Sequence, residues 1–333
     1  MQILPEFEEG GVERHVLWLS NELASRGHEV LVISSGGKLE KKLDPAVKHW
    51  KLPVQLKNPV TAAWCAAKIA ARARKEGWEL LHAHSRVPDW IAWWSRLLGG
   101  PPWVVTAHGT YSKNVGLIPL KRADAVICVS EVVREHLLGF LPESAFVVRN
   151  GIPGPKNKWK GPEGKECRFL FIGRLTRVKG IDFLIDVFTR IEAEEWSLDI
   201  LGDGPLRGEL ENKVKRHGLH EKIRFHGFRD DTEHWLASCS ALLFPSQSEG
   251  NPLTLAQAIM MGVPCIMSDI PQARETAGEG GLFLDPCKPA EWIGFFESLI
   301  AGRTRVPVIL GANLATIAQM TVETENVYLN VVT

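Results

Sequence analysis

Residues 167–193 read CRFLFIGRLTRVKGIDFLIDVFTRIEA. A short, almost continuous apolar run ends at Gly173, a basic loop carries Arg174, Arg177 and Lys179, and a helix-length stretch, GIDFLIDVFTRIEA, follows. Apolar runs without alternation suit parallel strands buried on both faces. The same unit recurs downstream, where SLDILG (197–202), KIRFHG (222–227), ALLFPS (241–246), PCIMSD (264–269) and GLFLDP (281–286) are strand candidates with helical stretches such as GNPLTLAQAIMMG between them. It recurs upstream too, in MQILPEF, HEVLVISS (28–35), ELLHAH (79–84), WVVTAH (103–108), AVICVS (125–130) and FVVRN (146–150). In GGVERHVLWLSNELASRG the residues Val12, Val16, Leu19 and Leu23 form one apolar helical face, and Gly27 is the expected stop.

Between the two series lies PGPKNKWKGPEGKE, residues 153–166, rich in Gly, Pro and Lys with little to bury. It reads as an interdomain linker. The expected architecture is therefore α/β, with two doubly wound Rossmann-like domains, 1–152 and 167–316. Ligands in such sheets bind beyond the C-terminal strand ends, so chemistry belongs in the loops after these runs.

Composition bounds the partners. The 333 residues carry 39 Lys plus Arg and 39 Asp plus Glu, which argues against a nucleic-acid coat and against an acidic solvating chain. The balance divides unevenly: residues 1–152 hold 19 basic and 15 acidic side chains, and 153–333 hold 20 and 24. The six cysteines form no C-x-x-C pair, and buried reduced thiols fit a cytosolic chain. MQILPEFEEGG lacks the features of a secretory signal, and no apolar run reaches the ~18–20 residues of a membrane span. Eight of 12 Trp lie in the first half; Trp90, Trp93, Trp94 and Leu97 have helical spacing, which suits packing or an interfacial face. The basic segment TAAWCAAKIAARARKEGW leaves the same two readings open.

Several loops hold candidate chemistry. Gly10 and Gly11 lead into a helix whose N-terminus offers N–H groups to an anion. No G-x-G-x-x-G stands there and no G-K-[ST] anywhere, so neither a dinucleotide fingerprint nor a P-loop is supported. GDGPLRG reads as a tight turn with Asp203 capping. Arg174, Arg177 and Lys179 would suit a diphosphate, although a solvated basic loop has the same composition. In FPSQSEGNPLTLAQA, Glu249 and Gly250 follow a strand, Pro252 takes the first helical position, and Gln257 lies two turns along from Glu249. His82, His84 and His108 end two strand candidates; a metal pair is conceivable, but no ligand spacing supports it, and His108 reads as a site residue or a buried imidazole.

The ordered set GGVERHV, HAHSRVPDW, TAHGTYS, AVICVSE, VVRNGI, FIGRLTRVKG, GDGPL, RFHGF and FPSQSEGNPLTLAQAIMMGVPCIMSD resembles family 4 glycosyltransferases of the GT-B fold, particularly bacterial enzymes of lipopolysaccharide and surface-glycan synthesis. The likeness spans nearly the whole chain, and residues 317–333 resemble the final helix that crosses back to the N-terminal domain. It implies two domains facing each other across a cleft. It also implies retaining transfer from a nucleotide-diphosphate sugar to a glycan or lipid-linked acceptor, with no cofactor and no catalytic metal. By that resemblance Arg174 and Lys179 hold the diphosphate, Glu249 binds the donor sugar and His108 lies beside it. Gly10, Gly11, Gly173, Gly250, Asn251 and Leu253 line the donor site, and His226 and Gly227 meet the base through backbone.

Gln257 departs from the family pattern, standing where a second Glu binds ribose hydroxyls, and Asn251–Pro252 replace an aromatic–glycine pair. A cytoplasmic enzyme is expected, its more basic N-terminal half facing an acidic acceptor or an anionic membrane surface. A nucleotide-sugar epimerase and a non-catalytic nucleotide-sugar or glycan-binding relative remain the alternatives.

Overall fold

The structure, a computed structural model, describes residues 1–332; Thr333, the last residue of the expected final helix, lies outside them. The chain forms two units, one from Met1–Gly151 with Ala315–Thr333 and the other from Ile152–Leu314.

Unit 1 runs β1 (Gln2–Ile3), α1 (Gly11–Ser25), β2 (Leu31–Ser34), β3 (Lys48–Lys51), α2 (Pro59–Glu76), β4 (Leu81–His84), α3 (Arg86–Leu97), β5 (Trp103–Ala107), β6 (Ala125–Cys128), α4 (Glu131–Leu137) and β7 (Ala145–Val147). Its strands are all parallel in the order β3-β2-β1-β4-β5-β6-β7. The order reverses between β1 and β4, and their C-terminal ends are where a doubly wound sheet holds its ligand. Local signals set the helices. Asn58 Oδ1 caps α2 by accepting from Val60 N at 2.9 Å, Pro59 takes the first position, and Gly77 ends the helix at φ 75°.

Between two short strands, β8 (Gly151–Ile152) and β15 (Ala315–Thr316), the chain builds unit 2. It comprises β9 (Cys167–Ile172), α5 (Ile181–Phe188), β10 (Trp196–Leu201), α6 (Arg207–Arg216), β11 (Ile223–Gly227), α7 (Thr232–Ser238), β12 (Ala241–Phe244), α8 (Leu253–Met261), β13 (Cys265–Ser268), α9 (Pro271–Ala277), β14 (Leu282–Leu284) and α10 (Pro289–Ile300). Its parallel order, β11-β10-β9-β12-β13-β14, repeats the pattern of unit 1, with the reversal between β9 and β12. Phe169, Phe188, Trp196, Trp292 and Phe296 are fully buried on one face of that sheet.

Helix α11 (Ile317–Val332) returns to unit 1 and packs on α1, burying Met320, Thr321, Thr324 and Val327. Its surroundings include Val16, Leu19 and Leu23 of α1, the apolar face legible in the sequence.

The stretch 153–166 is not a bare tether. Trp159 packs against the second core of unit 2, its Nε1 donates to Cys239 O at 2.8 Å and its backbone N donates to Met261 O at 3.0 Å. The single Trp outweighs the Gly, Pro and Lys around it, because an aromatic side chain alone buries ~150–250 Å². The charge division also shrinks: α11 brings Glu323 and Glu325 to unit 1, leaving +2 there and −2 on unit 2.

Among the described residues no helix is long and apolar enough to cross a membrane. Trp93 and Trp94 pack against the core of unit 1, with Trp90 5.3 Å and 5.8 Å from them between ring centres.

Candidate functional site

In unit 2 the two loops at the strand-order reversal meet. The loop after β9 carries Gly173, Arg174 and Lys179; the loop after β12 carries Glu249, Gly250 and Asn251. Lys179 Nζ donates to Glu249 Oε1 at 2.5 Å, and Gln247 N donates to Val178 O at 2.8 Å, so side chain and backbone both join the loops. Glu249's side chain is one-tenth exposed, whereas Arg174 is exposed. An ammonium has three N–H donors. Lys179 can therefore keep Glu249 and still offer two to an anion.

Glycine makes the close approach of these loops possible. Gly180 has φ 67°, and a Cβ there would fall 2.0 Å from Pro245 O. Gly202, at φ 133°, would meet Gly173 O at 2.0 Å. GDGP is thus more than a tight turn: it lets the loop after β10 lie against the loop after β9. Asp203 accepts from Gly204 N at 2.7 Å and pairs with Arg207 at 3.0 Å, but Leu206, not Asp203, is the N-cap residue of α6.

Helix α8 begins at Leu253, with Pro252 just outside it at φ −80° and ψ 89°. Pro252 is thus one position earlier than the sequence suggests, because its ψ is extended rather than helical. Gln257 lies on α8, half-buried. His226, at the end of β11, directs Nε2 to the buried Asp199 Oδ1 at 2.7 Å, and its ring packs against Trp235 at 4.4 Å with the planes tilted by 48°. Its ring is engaged inside unit 2, and the Gly227 carbonyl accepts from Gly202 N at 2.7 Å.

In unit 1, Gly10 caps α1 without a side-chain bond, and Gly11 is its first helical residue. The N-terminus is not bare, because Glu13 folds its carboxylate over Gly10: a Cβ there would lie 2.3 Å from Glu13 Oε2. An incoming anion must displace that carboxylate or bind beside it.

The fold gathers the three histidines read from the sequence, with the His82 and His84 ring centres 4.2 Å apart. His84 Nδ1 and His108 Nε2 are 3.0 Å apart. His84 Nε2 meets Gln2 Oε1 at 2.8 Å, while Gln2 Nε2 donates to Tyr328 OH at 3.0 Å. Tyr328 OH lies 2.6 Å from His82 Nδ1, and His82 Nε2 lies 2.7 Å from Thr106 Oγ1. His15, from α1, completes the group at 4.8 Å from the His108 ring. Burial holds His15 down to about 4, offset in part by the Asn150 side chain. It pushes His82, His84 and His108 well below the usual imidazole range, with neighbouring histidines adding to it. These imidazoles are neutral at physiological pH.

His15 and Tyr328 were missed in the sequence. The signal for His15 was available: it sits three residues after Val12 and four before Leu19, on the buried stripe of α1. Ser85, directly after His84, was missed as well. It is the one non-glycine residue at positive φ among the described residues, 82°. Strain of that kind, roughly 1–3 kcal/mol, persists where surrounding structure imposes it, often at functional sites. Tyr111 OH accepts from the His108 backbone N at 3.1 Å, fixing the start of the loop after β5.

Two family models match the chain, one described as Glycosyltransferase Family 4 over residues 9–153 and one as Glycosyl transferases group 1 over residues 166–301. Among curated proteins, N-acetyl-alpha-D-glucosaminyl L-malate synthase of Bacillus anthracis is 26% identical over 316 residues, covering 85% of this chain and 81% of that one. The O-antigen biosynthesis glycosyltransferase WclY of Escherichia coli is 32% identical over 159 residues, 47% of this chain and 44% of its own. Among solved structures, Anabaena HepE in complex with UDP and glucose superposes with a TM-score of 0.84 at 18% identity, covering 98% of each chain.

Proposed function

Since the chain belongs to the family 4 glycosyltransferases and has their GT-B fold of two Rossmann-like sheets, we propose that it moves a sugar, with retention of configuration, from a nucleotide-diphosphate sugar to a glycan or lipid-linked acceptor of the bacterial surface. The observation that carries this reading is the Lys179–Glu249 pair, which sets a cation and a carboxylate side by side at the strand-order reversal of unit 2. Arg174 and Lys179 take the diphosphate and neutralise the charge that grows on it as the glycosidic bond breaks. Charge stabilisation of that kind is usually the largest catalytic contribution. Glu249 accepts hydroxyls of the donor sugar. Gln257 offers one acceptor and one donor to the ribose, a weaker pairing than a carboxylate makes. Gly173, Gly250, Asn251 and Leu253 surround these groups, His226 and Gly227 present backbone to the base, and Gly10, Gly11 and His108 serve the transferred sugar. No metal has a step in this scheme.

The O-antigen relative supports a surface-glycan acceptor. On unit 1, Val60 and Trp64 of α2 are exposed, 78% and 46%, and Lys68 Nζ sits 4.3 Å above the Trp64 ring. This apolar and basic face would rest on an anionic membrane surface while the enzyme works in the cytoplasm.

The test is nucleotide diphosphate release from a panel of nucleotide sugars, beginning with UDP-glucose because HepE binds UDP and glucose. It is run with and without lipid-linked acceptors. Acceptor-dependent release with an α-linked product from an α-linked donor is expected. An inverted product would end the retaining assignment, and nucleotide binding without turnover on any acceptor would favour the non-catalytic reading that Gln257 motivates.

A further inference from the structure

The histidine cluster of unit 1 has a property that sugar transfer does not use. His15, His84 and His108 each offer a ring nitrogen, and these three nitrogens lie within 4.8 Å of one another. They arrive from three elements: α1, the end of β4 and the residue after β5. His15 is 2% exposed, and neither of its ring nitrogens makes a well-formed hydrogen bond, the neighbouring Asn150 side chain giving only a loose one. A buried polar group left poorly paired costs up to roughly 1–3 kcal/mol, so this imidazole among imidazoles has a lone pair to spare for a ligand.

The outer contacts point the same way. With the Gln2 amide oriented as it is, Gln2 Oε1 takes the Nε2 hydrogen of His84 at 2.8 Å, which leaves a lone pair on His84 Nδ1 directed at the cluster. A ligand histidine is usually held in this way, with its far nitrogen donating to an oxygen. His82 is excluded as a ligand because both of its nitrogens are engaged, by Tyr328 and Thr106. His108 is the one of the three that is only partly buried, so an ion would enter from its side.

We infer that His15, His84 and His108 form a site for one divalent transition-metal ion of the zinc class. Three imidazoles with no carboxylate match the softness of Zn2+, Co2+ or Ni2+ and offer nothing to Mg2+ or Ca2+, which require oxygen ligands. Closing on an ion with Zn–N distances of ~2.0–2.1 Å draws the His15 ring inward and replaces the His84–His108 hydrogen bond. An ion bound here would take the imidazole that the proposed function places beside the sugar, so Zn2+ would inhibit transfer. That consequence rests on the proposed function, whereas binding does not and is measured without donor or acceptor.

The experiment uses the full chain, stripped with chelator and dialysed against Zn2+, with metal content read by elemental analysis. A parallel sample titrated with Co2+ is followed by visible absorption. One Zn2+ per chain and the strong visible bands of a four-coordinate Co2+ site are expected. Both should be lost in His15→Gln and retained in His220→Gln, a surface control in unit 2. Gln2→Leu should weaken binding roughly 10–100-fold. Should His15→Gln fail to fold, the wild-type melting temperature decides, because a ligand of the native state raises it with concentration. It should rise with Zn2+ and not with Mg2+. Substoichiometric metal in the wild type, equal retention by folded His15→Gln, or no rise with Zn2+ would overturn the site.

Discussion

Lys179 and Glu249 are separated by 70 positions in sequence, yet the ammonium of one donates to the carboxylate of the other at 2.5 Å. The pair couples two loops that each belong to a different strand of the unit 2 sheet, and it holds the cation in place before any donor arrives. Lys179→Met should lower turnover by roughly 10²–10³-fold, with a smaller effect on nucleotide affinity because Arg174 remains. Steady-state release of nucleotide diphosphate measures both, and unchanged turnover would remove Lys179 from the leaving-group side.

Gln257→Glu restores a charged acceptor on α8. Donor binding should tighten several-fold, the equivalent of about 1 kcal/mol, with little change in the melting temperature because the side chain is only half-buried. Calorimetry with the nucleoside diphosphate reads this directly, and equal affinities would mean that Gln257 does not touch the ribose.

Gly202→Ala should be disruptive for two separate reasons. Its Cβ would lie 2.0 Å from Gly173 O, and its φ of 133° disfavours any side chain. Overpacking costs about 1–3 kcal/mol and backbone strain roughly 1–3 kcal/mol more, so the unfolding midpoint of unit 2 in urea should fall sharply. Gly109→Ala provides the contrast: a Cβ there meets nothing within 4 Å, and stability should hold.

Asp89 gives unit 1 a pH dependence. Burial pushes its carboxyl up to about 7, partly opposed by Trp103 Nε1, which donates to Oδ1 at 3.0 Å. A carboxyl whose folded pKa is raised stabilises fully below its ordinary value of 3.8 and loses that contribution as pH climbs through about 7. Stability should therefore decline between those limits with a slope of at most ~1.4 kcal/mol per pH unit. Asp89→Asn, which still accepts from Trp103, should flatten the decline in urea melts taken across that window. A wild-type curve that is already flat there would show Asp89 to be ionised when folded.

The α2 face makes a salt-dependent prediction. Wild-type protein should sediment with anionic vesicles at low ionic strength and leave them as salt screens the attraction. Val60→Asp combined with Lys68→Glu should abolish this while leaving melting unchanged, since Val60 is 78% exposed. Equal binding to neutral vesicles would show that charge plays no part.

The sheets were legible because their strands are continuous apolar runs closed by glycine or small polar residues, as in CRFLFIG and SLDILG. β3 escaped notice because KHWK is an edge strand with charged ends, the usual defence of an exposed sheet edge. The loops carrying Lys179 and Glu249 were readable because their charges and glycines are local features, but the 2.5 Å pairing between them was not. His15, His84 and His108 illustrate the same limit. Each is visible singly, yet their convergence depends on parallel strands placing distant loops at one sheet end. Likewise, Glu13 over Gly10 turns on a side-chain rotamer, which spacing does not specify.

Tyr328 hydrogen-bonds to both Gln2 and His82, so the final helix touches the first strand of the chain. During synthesis, unit 2 is a continuous segment and can complete its core while later residues are still being added. Unit 1 cannot, because α1 leaves the ribosome with its apolar face uncovered and waits for α11. His82 acquires its Tyr328 partner only after the 245 residues between them have been made. Truncation upstream of α11 would therefore damage the region around β1, and a nascent chain stalled there would have a complete unit 2 core before it had a finished histidine cluster.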